Sequence, residues 1–237
     1  MPDELTERWI AGWAAMRGLE ISTNDGWPLI HVRSASRRSE LICVAPGVEE
    51  FRTLLPHVAG DPAAMLTVVG TDLIDYRSLP LPEDVRVDRH DETLMTVAIE
   101  PGDINVLPDG LVATWDHDAR ITRYHVREGD RIVAEGAVGL HDSWATFDAV
   151  ETAPTHQRQG LGRHVVSALS AHAHGRGARH AVLAASADGR GLYASLGWTV
   201  ERELLSLMGT SPPQGGVRNA TSRSRRQSGA SGDARLP

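Results

Sequence analysis

The stretch Val150-Glu151-Thr152-Ala153-Pro154-Thr155-His156-Gln157-Arg158-Gln159-Gly160-Leu161-Gly162-Arg163 decides the reading of this chain. Upstream, Trp144 to Thr152 reads as a strand. Pro154 lacks an N–H and loosens sheet pairing there. Gly160 and Gly162 fall where the chain must turn tightly into a helix, predicted over His164 to Ala173, with an apolar stripe of Leu161, Val165 and Leu169. Backbone N–H groups in such a turn converge at the positive end of the helix dipole and suit a phosphate or pyrophosphate. Arg158 and Arg163 add charge. A nucleoside-triphosphate loop needs Gly-Lys-Ser/Thr after the glycines, but all 24 basic residues of this chain are Arg. The dinucleotide fingerprint needs a third glycine at position 165, which is Val. What remains is Gln157-x-x-Gly160-x-Gly162; the two glycines also suit a plain helix-start turn.

Around this segment the second half orders itself. Ile121 to Val126 and Arg131 to Val138 are strands flanking Glu128-Gly129-Asp130, a hairpin signal. After the helix, Gly175 and Gly177 stop it, Ala181 to Ala185 is a strand, Gly191 to Leu196 a short helix and Trp198 to Met208 a last strand. The order β-β-β-α-β-α-β predicts an α/β fold, a mixed β-sheet flanked by helices. In the first half, Leu5 to Met16 is a helix with Trp9, Ile10, Trp13 and Met16 on one face, ended by Gly18. Strands follow at Leu29 to Val32, Glu40 to Val44, Met65 to Val69, Val85 to Val87 and Leu94 to Ile99, with a helix over Glu49 to His57. No repeat shows at a fixed period.

With its strand, turn and helix in place, the pattern resembles the pyrophosphate loop of the GCN5-related N-acetyltransferase (GNAT) family. A second motif agrees. Leu192-Tyr193-Ala194-Ser195-Leu196-Gly197-Trp198 is similar to that family's Leu-Tyr-x-x-Leu-Gly-Phe, in the right order and on the right element. The resemblance spans residues 120–208 and is of the actinobacterial type, with a first half that carries no motif. It implies an acyl-CoA N-acyltransferase fold with an additional N-terminal α+β half. The expected layout is an N-terminal half over 1–90, itself allowed to be a degenerate GNAT-like unit, a GNAT domain over 91–208, and a disordered Arg/Ser/Gly-rich tail over 209–237.

The resemblance also implies roles. Val150, Glu151 and Thr152 would hold the pantetheine arm of acetyl-CoA through backbone bonds, the Thr152 N–H serving as oxyanion donor. Arg158, Gln159, Gly160, Leu161, Gly162 and Arg163 would cradle the pyrophosphate. Ser186 stands seven residues before Tyr193, where many members have Asn, and is expected at the cofactor. Tyr193 would bind the cofactor and protonate the departing thiolate. The family's frequent general-base Glu is absent; its place is about Thr146. The candidates left are Asp148, expected on one strand face with Thr146, Val150 and Thr152, Glu151 on the other face, or a base reached through water. The implied reaction is direct attack of a primary amine, on a small molecule or a protein lysine, on acetyl-CoA. The alternatives are a catalytically weak acyl-CoA-binding or regulatory module, and an interaction protein using its tail.

Composition narrows the class. The chain has 237 residues, 41% hydrophobic and 23% charged, with a net charge of −7. The tail from 209 holds five Arg and one Asp, so the body carries −11 and makes a poor nucleic-acid platform. One cysteine, Cys43, excludes an internal disulfide and a multi-Cys zinc site. No metal is expected: His172 and His174 diverge on a helix, and surface positions are expected for the crowd of His156, His164, His172, His174 and His180. Trp115, Trp144 and Trp198 are candidates to line an acceptor pocket. No apolar run approaches the ~20 residues of a membrane span, and the acidic start lacks the pattern of a leader, so a cytoplasmic, bacterial protein is expected, without membrane partner and with a homodimer allowed.

Overall fold

The computed structural model describes residues 3–100 and 102–210; the expected tail, with its Arg223-Ser224-Arg225-Arg226 cluster, lies outside them. The first helix, α1 (Glu4–Arg17), opens with Asp3 accepting from the Thr6 N–H at 2.8 Å and closes on Gly18 in the left-handed region at φ 64°. There follow β1 (Glu20–Asn24), β2 (Trp27–His31), β3 (Ser39–Val44), α2 (Val48–Leu54) with a 3-10 turn at Leu55–His57, β4 (Ala64–Gly70), α3 (Ile74–Ser78) and β5 (Val85–Ala98). The second half is β6 (Leu111–His117), β7 (Thr122–Glu128), β8 (Arg131–His141), β9 (Trp144–Thr152), a 3-10 turn at Pro154–His156, α4 (Leu161–Gly175), β10 (His180–Ala185), α5 (Ala187–Ala194) and β11 (Thr199–Gly209).

All the strands form one mixed sheet in the order β1-β2-β3-β4-β11-β5-β10-β9-β8-β7-β6. Only β3/β4 and β9/β10 are parallel, each joined through a helix. The order mirrors itself about the central β5/β11 pair: β3-α2-β4-α3-β5 on one side matches β9-α4-β10-α5-β11 on the other. The closing strand of each half has crossed over. β5 pairs with β10 of the second half, and β11 pairs with β4 of the first. The boundary expected at 90/91 falls inside β5.

Alternation along the strands divides the core. On one face, Trp9, Ile10 and Trp13 of α1 pack on Ile42, Val69, Leu94, Val182 and Leu204, drawn from both halves. On the other, Phe51 and Leu54 of α2 cover the first half, and Val165, Leu169 and Tyr193 of α4 and α5 cover the second. Helix α1 thus spans the junction. Its approach to β9 is close, because a Cβ on Gly12 would stand 1.9 Å from Thr146 Oγ1.

Four elements depart from expectation, the short α3 being one that no sequence signal marks. β1 and β2 form a hairpin around Asp25 (φ 50°) and Gly26 (φ 82°), a two-residue turn of the primed kind. β6 is a strand with little apolar alternation, an outer edge of the sheet. The two strands expected at 85–87 and 94–99 are one continuous β5, the exposed polar run between them being paired with β11. No helix among the described residues is long and apolar enough to cross a membrane.

Candidate active site

The site forms where β9 and β10 part. These parallel strands pair only over His180 to Val182 against Trp144 to Thr146. Beyond that, β9 runs on to Thr152 without β10 beside it. A bulge shapes this free stretch: Ala149, at φ 51°, and Val150 together stand opposite Gly136 of β8. Ala153 N–H then donates to Val133 O at 2.9 Å. That makes 153/133 a bonded pair and turns the peptide groups of Thr152 away from β8, into the opening. The Thr152 carbonyl accepts from Gln157 Nε2 at 3.3 Å, leaving its N–H facing the gap.

At the far side of the gap α4 begins. Gly160 sits at φ 81° and Arg158 at φ 63°, and the first intrahelical bond is His164 N–H to Gly160 O at 3.0 Å. The N–H groups of Leu161, Gly162 and Arg163 therefore lack intrahelical acceptors. They face a groove of about 1010 Å³ lined by Val150 to Thr152, the glycine loop and the start of α5. Gly162 is needed for closeness, since a Cβ there would meet Leu192 Cδ2 at 2.9 Å. Arg163 reaches Ser195 Oγ at 2.9 Å, and Arg158 is exposed at the rim.

A second cavity of about 250 Å³ lies on the α1 side and shares Val150, Glu151, Ser186 and Gly189 with the groove. Tyr193 lines it. Its side chain is 7% exposed, and burial, followed by the charge of Asp148, pushes its hydroxyl up to about 12. Trp9 and Trp13 form one wall, stacked with ring centroids 6.1 Å apart. Glu40, 3% exposed, accepts from Arg37 Nη1 and from Thr67 Oγ1, each at 2.7 Å. Glu92 projects from β5 on the Leu94 side. Burial pushes its carboxyl above the usual range, while Arg89, 3.1 Å away, opposes the shift.

Most residues singled out from the sequence meet here: Val150, Glu151, Thr152, Arg158, Gly160, Leu161, Gly162, Arg163 and Ser186 line the groove, and Tyr193 the adjoining cavity. Leu161 contributes by its backbone alone, its side chain being in the core. Gln159 does not line the groove; its side chain donates to Thr155 O at 3.4 Å, while Gln157 takes the lining place. Ser186 caps α5, accepting from Gly189 N–H at 3.2 Å.

The face assignment on β9 needs correction. Asp148 shares a face with Thr146, toward α1, where Arg17 Nε meets its Oδ2 at 2.5 Å. Val150 packs instead on the opposite core under α4. The bulge at Ala149 adds one residue and reverses the alternation. Other expectations also change. His164 is buried, with Nε2 2.7 Å from the Tyr124 hydroxyl and Nδ1 2.6 Å from Asn105 O. Trp115 stacks on His117 and lies tilted against His172, and Trp144 stacks on His180, away from both cavities; Trp198 is core. Among the described residues no group of three or more His, Cys, Asp or Glu is placed to hold a metal ion. No sequence signal marks Arg37, Glu40, Arg89 or Glu92 as site residues, and Trp9 and Trp13 read there as packing only.

Comparison with known proteins agrees with this geometry. Residues 130–205 match the model of the family described as FR47-like protein. The fold is that of a GCN5-related N-acetyltransferase from Kribbella flavida, with a TM-score of 0.60 at 14% identity, covering 90% of this chain and 98% of that one. A GCN5-related N-acetyltransferase-like protein from Streptococcus suis superposes with a TM-score of 0.55 at 11% identity, covering 83% and 92%. A tandem GNAT protein from the clavulanic acid biosynthesis pathway gives 0.50 at 13% identity, covering 81% and 82%. No curated protein matches the chain significantly. Residues 130–205 are thus similar to the FR47-like family, and the fold is one shared with GCN5-related N-acetyltransferases.

Proposed function

We propose that the protein is an N-acetyltransferase that moves acetyl from acetyl-CoA to a primary amine by direct attack in a ternary complex. The observation that carries this reading is the parting of β9 and β10, which frees the Thr152 peptide edge beside the unpaired N–H groups of α4. A pantetheine amide suits the strand edge, and a pyrophosphate suits the helix start with Arg158 and Arg163 beside it. The thioester carbonyl then lies at the seam of groove and cavity, within reach of a backbone N–H that stabilises its developing negative charge.

The amine attacks from the α1 side. Tyr193 acts on the departing sulfur as a hydrogen-bond donor. With its hydroxyl at about 12 and a free thiol near ~8.5, full proton transfer from Tyr193 is uphill, so the hydroxyl keeps its proton and stabilises the thiolate. Asp148 has Oδ2 on Arg17 and Oδ1 on the Ala149 N–H, which assigns it to holding α1 and the bulge in place. Glu151 is exposed at the seam. Glu92, in the cavity with its carboxyl raised by burial, takes the proton the attacking amine must lose.

On this reading the first half is a degenerate copy of the same unit. Its β3 and β4 pair from 39–44 against 64–69 along their length, so no gap like that between β9 and β10 opens there. Calorimetric titration with acetyl-CoA tests the proposal. Micromolar binding, with free thiol released on adding an amine, is the expected result. Absence of binding at tens of micromolar overturns it, and binding without transfer to any amine favours a non-catalytic acyl-CoA module.

A further inference from the structure

The acceptor class can be narrowed from the walls of the smaller cavity; the argument rests on the acetyl-transfer reading above. Three ion pairs line it, from three parts of the chain: Arg17 with Asp148, Arg37 with Glu40, and Arg89 with Glu92. Each joins a guanidinium, with five N–H donors and no acceptor, to a carboxylate that only accepts. Each pair thus leaves donors on the arginine side and lone pairs on the acid side. Another wall is the Trp9–Trp13 stack, with the Arg37 guanidinium 5.3 Å over the Trp13 ring, and Glu151 adds a fourth carboxylate at the seam.

A ligand of one charge sign fits this lining badly. A polyamine or an amino sugar bearing several ammonium groups could meet the carboxylates but would leave the guanidinium donors of three arginines without an acceptor in about 250 Å³. A lysine side chain carries one ammonium on an apolar stem and offers nothing to the guanidinium donors. A polar group desolvated without a partner is costly, so the arginines select against both. A small molecule with an amino group and a carboxylate meets both sets of partners at once.

We infer that the acceptor is a compact zwitterionic amine, of free amino-acid size, whose carboxylate is held by this arginine-lined cavity while its amino group faces the seam. The reaction balances without a further reagent. The ammonium first gives one proton to solvent; the freed nitrogen lone pair forms the N–C bond to the acetyl carbon, a second proton passes to Glu92, and the C–S bond breaks with its electron pair going to sulfur, which leaves as thiolate and takes a proton from solvent to become a free thiol. The products are an N-acetylated amino acid and CoA.

The test compares amino acids with their decarboxylated partners: serine with ethanolamine, histidine with histamine, tyrosine with tyramine, and lysine with cadaverine. Spermidine and a lysine-containing peptide are included. Free-thiol release gives kcat/KM, and calorimetry with acetyl-CoA alone is run in parallel. At least one amino acid should exceed its decarboxylated partner tenfold or more, and Arg89→Gln or Arg17→Gln should shrink that ratio to about threefold or less. Equal or better use of the decarboxylated amines, spermidine or the peptide overturns the inference. So does intact acetyl-CoA binding with no transfer to any amino acid. Loss of acetyl-CoA binding itself is a different outcome, which defeats the acetyl-transfer reading and this inference with it.

Discussion

Tyr193→Phe separates catalysis from folding at one atom. The ring keeps its place against Trp198, 5.6 Å between centroids, and only a hydroxyl is removed. Burial and the Asp148 charge, in that order, hold that hydroxyl at about 12; no hydrogen bond contributes to the shift. Its loss therefore leaves no buried partner unpaired, and stability should change by less than about 1 kcal/mol, a Tm shift within about 4 °C. Losing one donor aimed at a developing negative charge costs about 10²-fold in kcat, or ~2.7 kcal/mol. The acetyl-CoA Kd should stay within about twofold, because the groove residues are untouched. Stopped-flow or steady-state thiol release gives kcat, and calorimetry gives Kd. A donor near 12 also predicts no fall in kcat from this group below about pH 10. Unchanged kcat would refute the role of Tyr193. A wild-type alkaline fall centred near pH 9 that disappears in the variant would refute the donor argument.

Other expectations follow from single groups. Glu92 accepts a proton only as carboxylate, so activity should rise with pH through a value above the ordinary 4.5; Glu92→Gln should lower kcat and abolish that limb, and an identical pH profile would remove Glu92 from the reaction. Gly12→Leu drives a side chain into Thr146 and should cost about 1–3 kcal/mol through the displacement of α1, read as a lower Tm. Burial pushes the Cys43 thiol up to about 12, so native protein should resist thiol reagents and react only on unfolding; rapid native labelling would contradict the core placement. For Asp3, burial alone would raise the carboxyl, but the Thr6 cap bonds and Arg202 outweigh it and hold it below 3.8. Its stabilisation is therefore complete above 3.8 and lost as pH falls through the lower folded value. Asp3→Ala should cost about 1–2 kcal/mol at neutral pH in denaturant titrations, and less in acid.

What could be read from the sequence was local. The glycine turn, the Tyr193 helix and the α1 stripe each lie within a few residues, where spacing alone carries the physics. The β1/β2 hairpin was also written in the chain, as Asn24-Asp25-Gly26-Trp27, and could have been found by its turn residues. The bulge was not, because Ala149 gives no glycine or proline signal, and so Val150 falls on the face opposite Asp148 instead of sharing it. β6 is an edge strand whose exposed faces need no apolar alternation. The smaller cavity was hidden for another reason. Glu40 and Glu92 reach Tyr193's neighbourhood only because distant strands of the first half join the same sheet, and no short window of sequence encodes a strand order.

The crossing of β5 and β11 makes the two halves hostages to one another. A break in the linker between β5 and β6 would leave each fragment holding a strand that belongs in its neighbour's sheet and lacking one of its own. Neither fragment could close its hydrogen-bond ladder alone, so the two halves are not separable modules. The first half acts as a permanent splint, lending one central β-strand and the far wall of a chamber to the second.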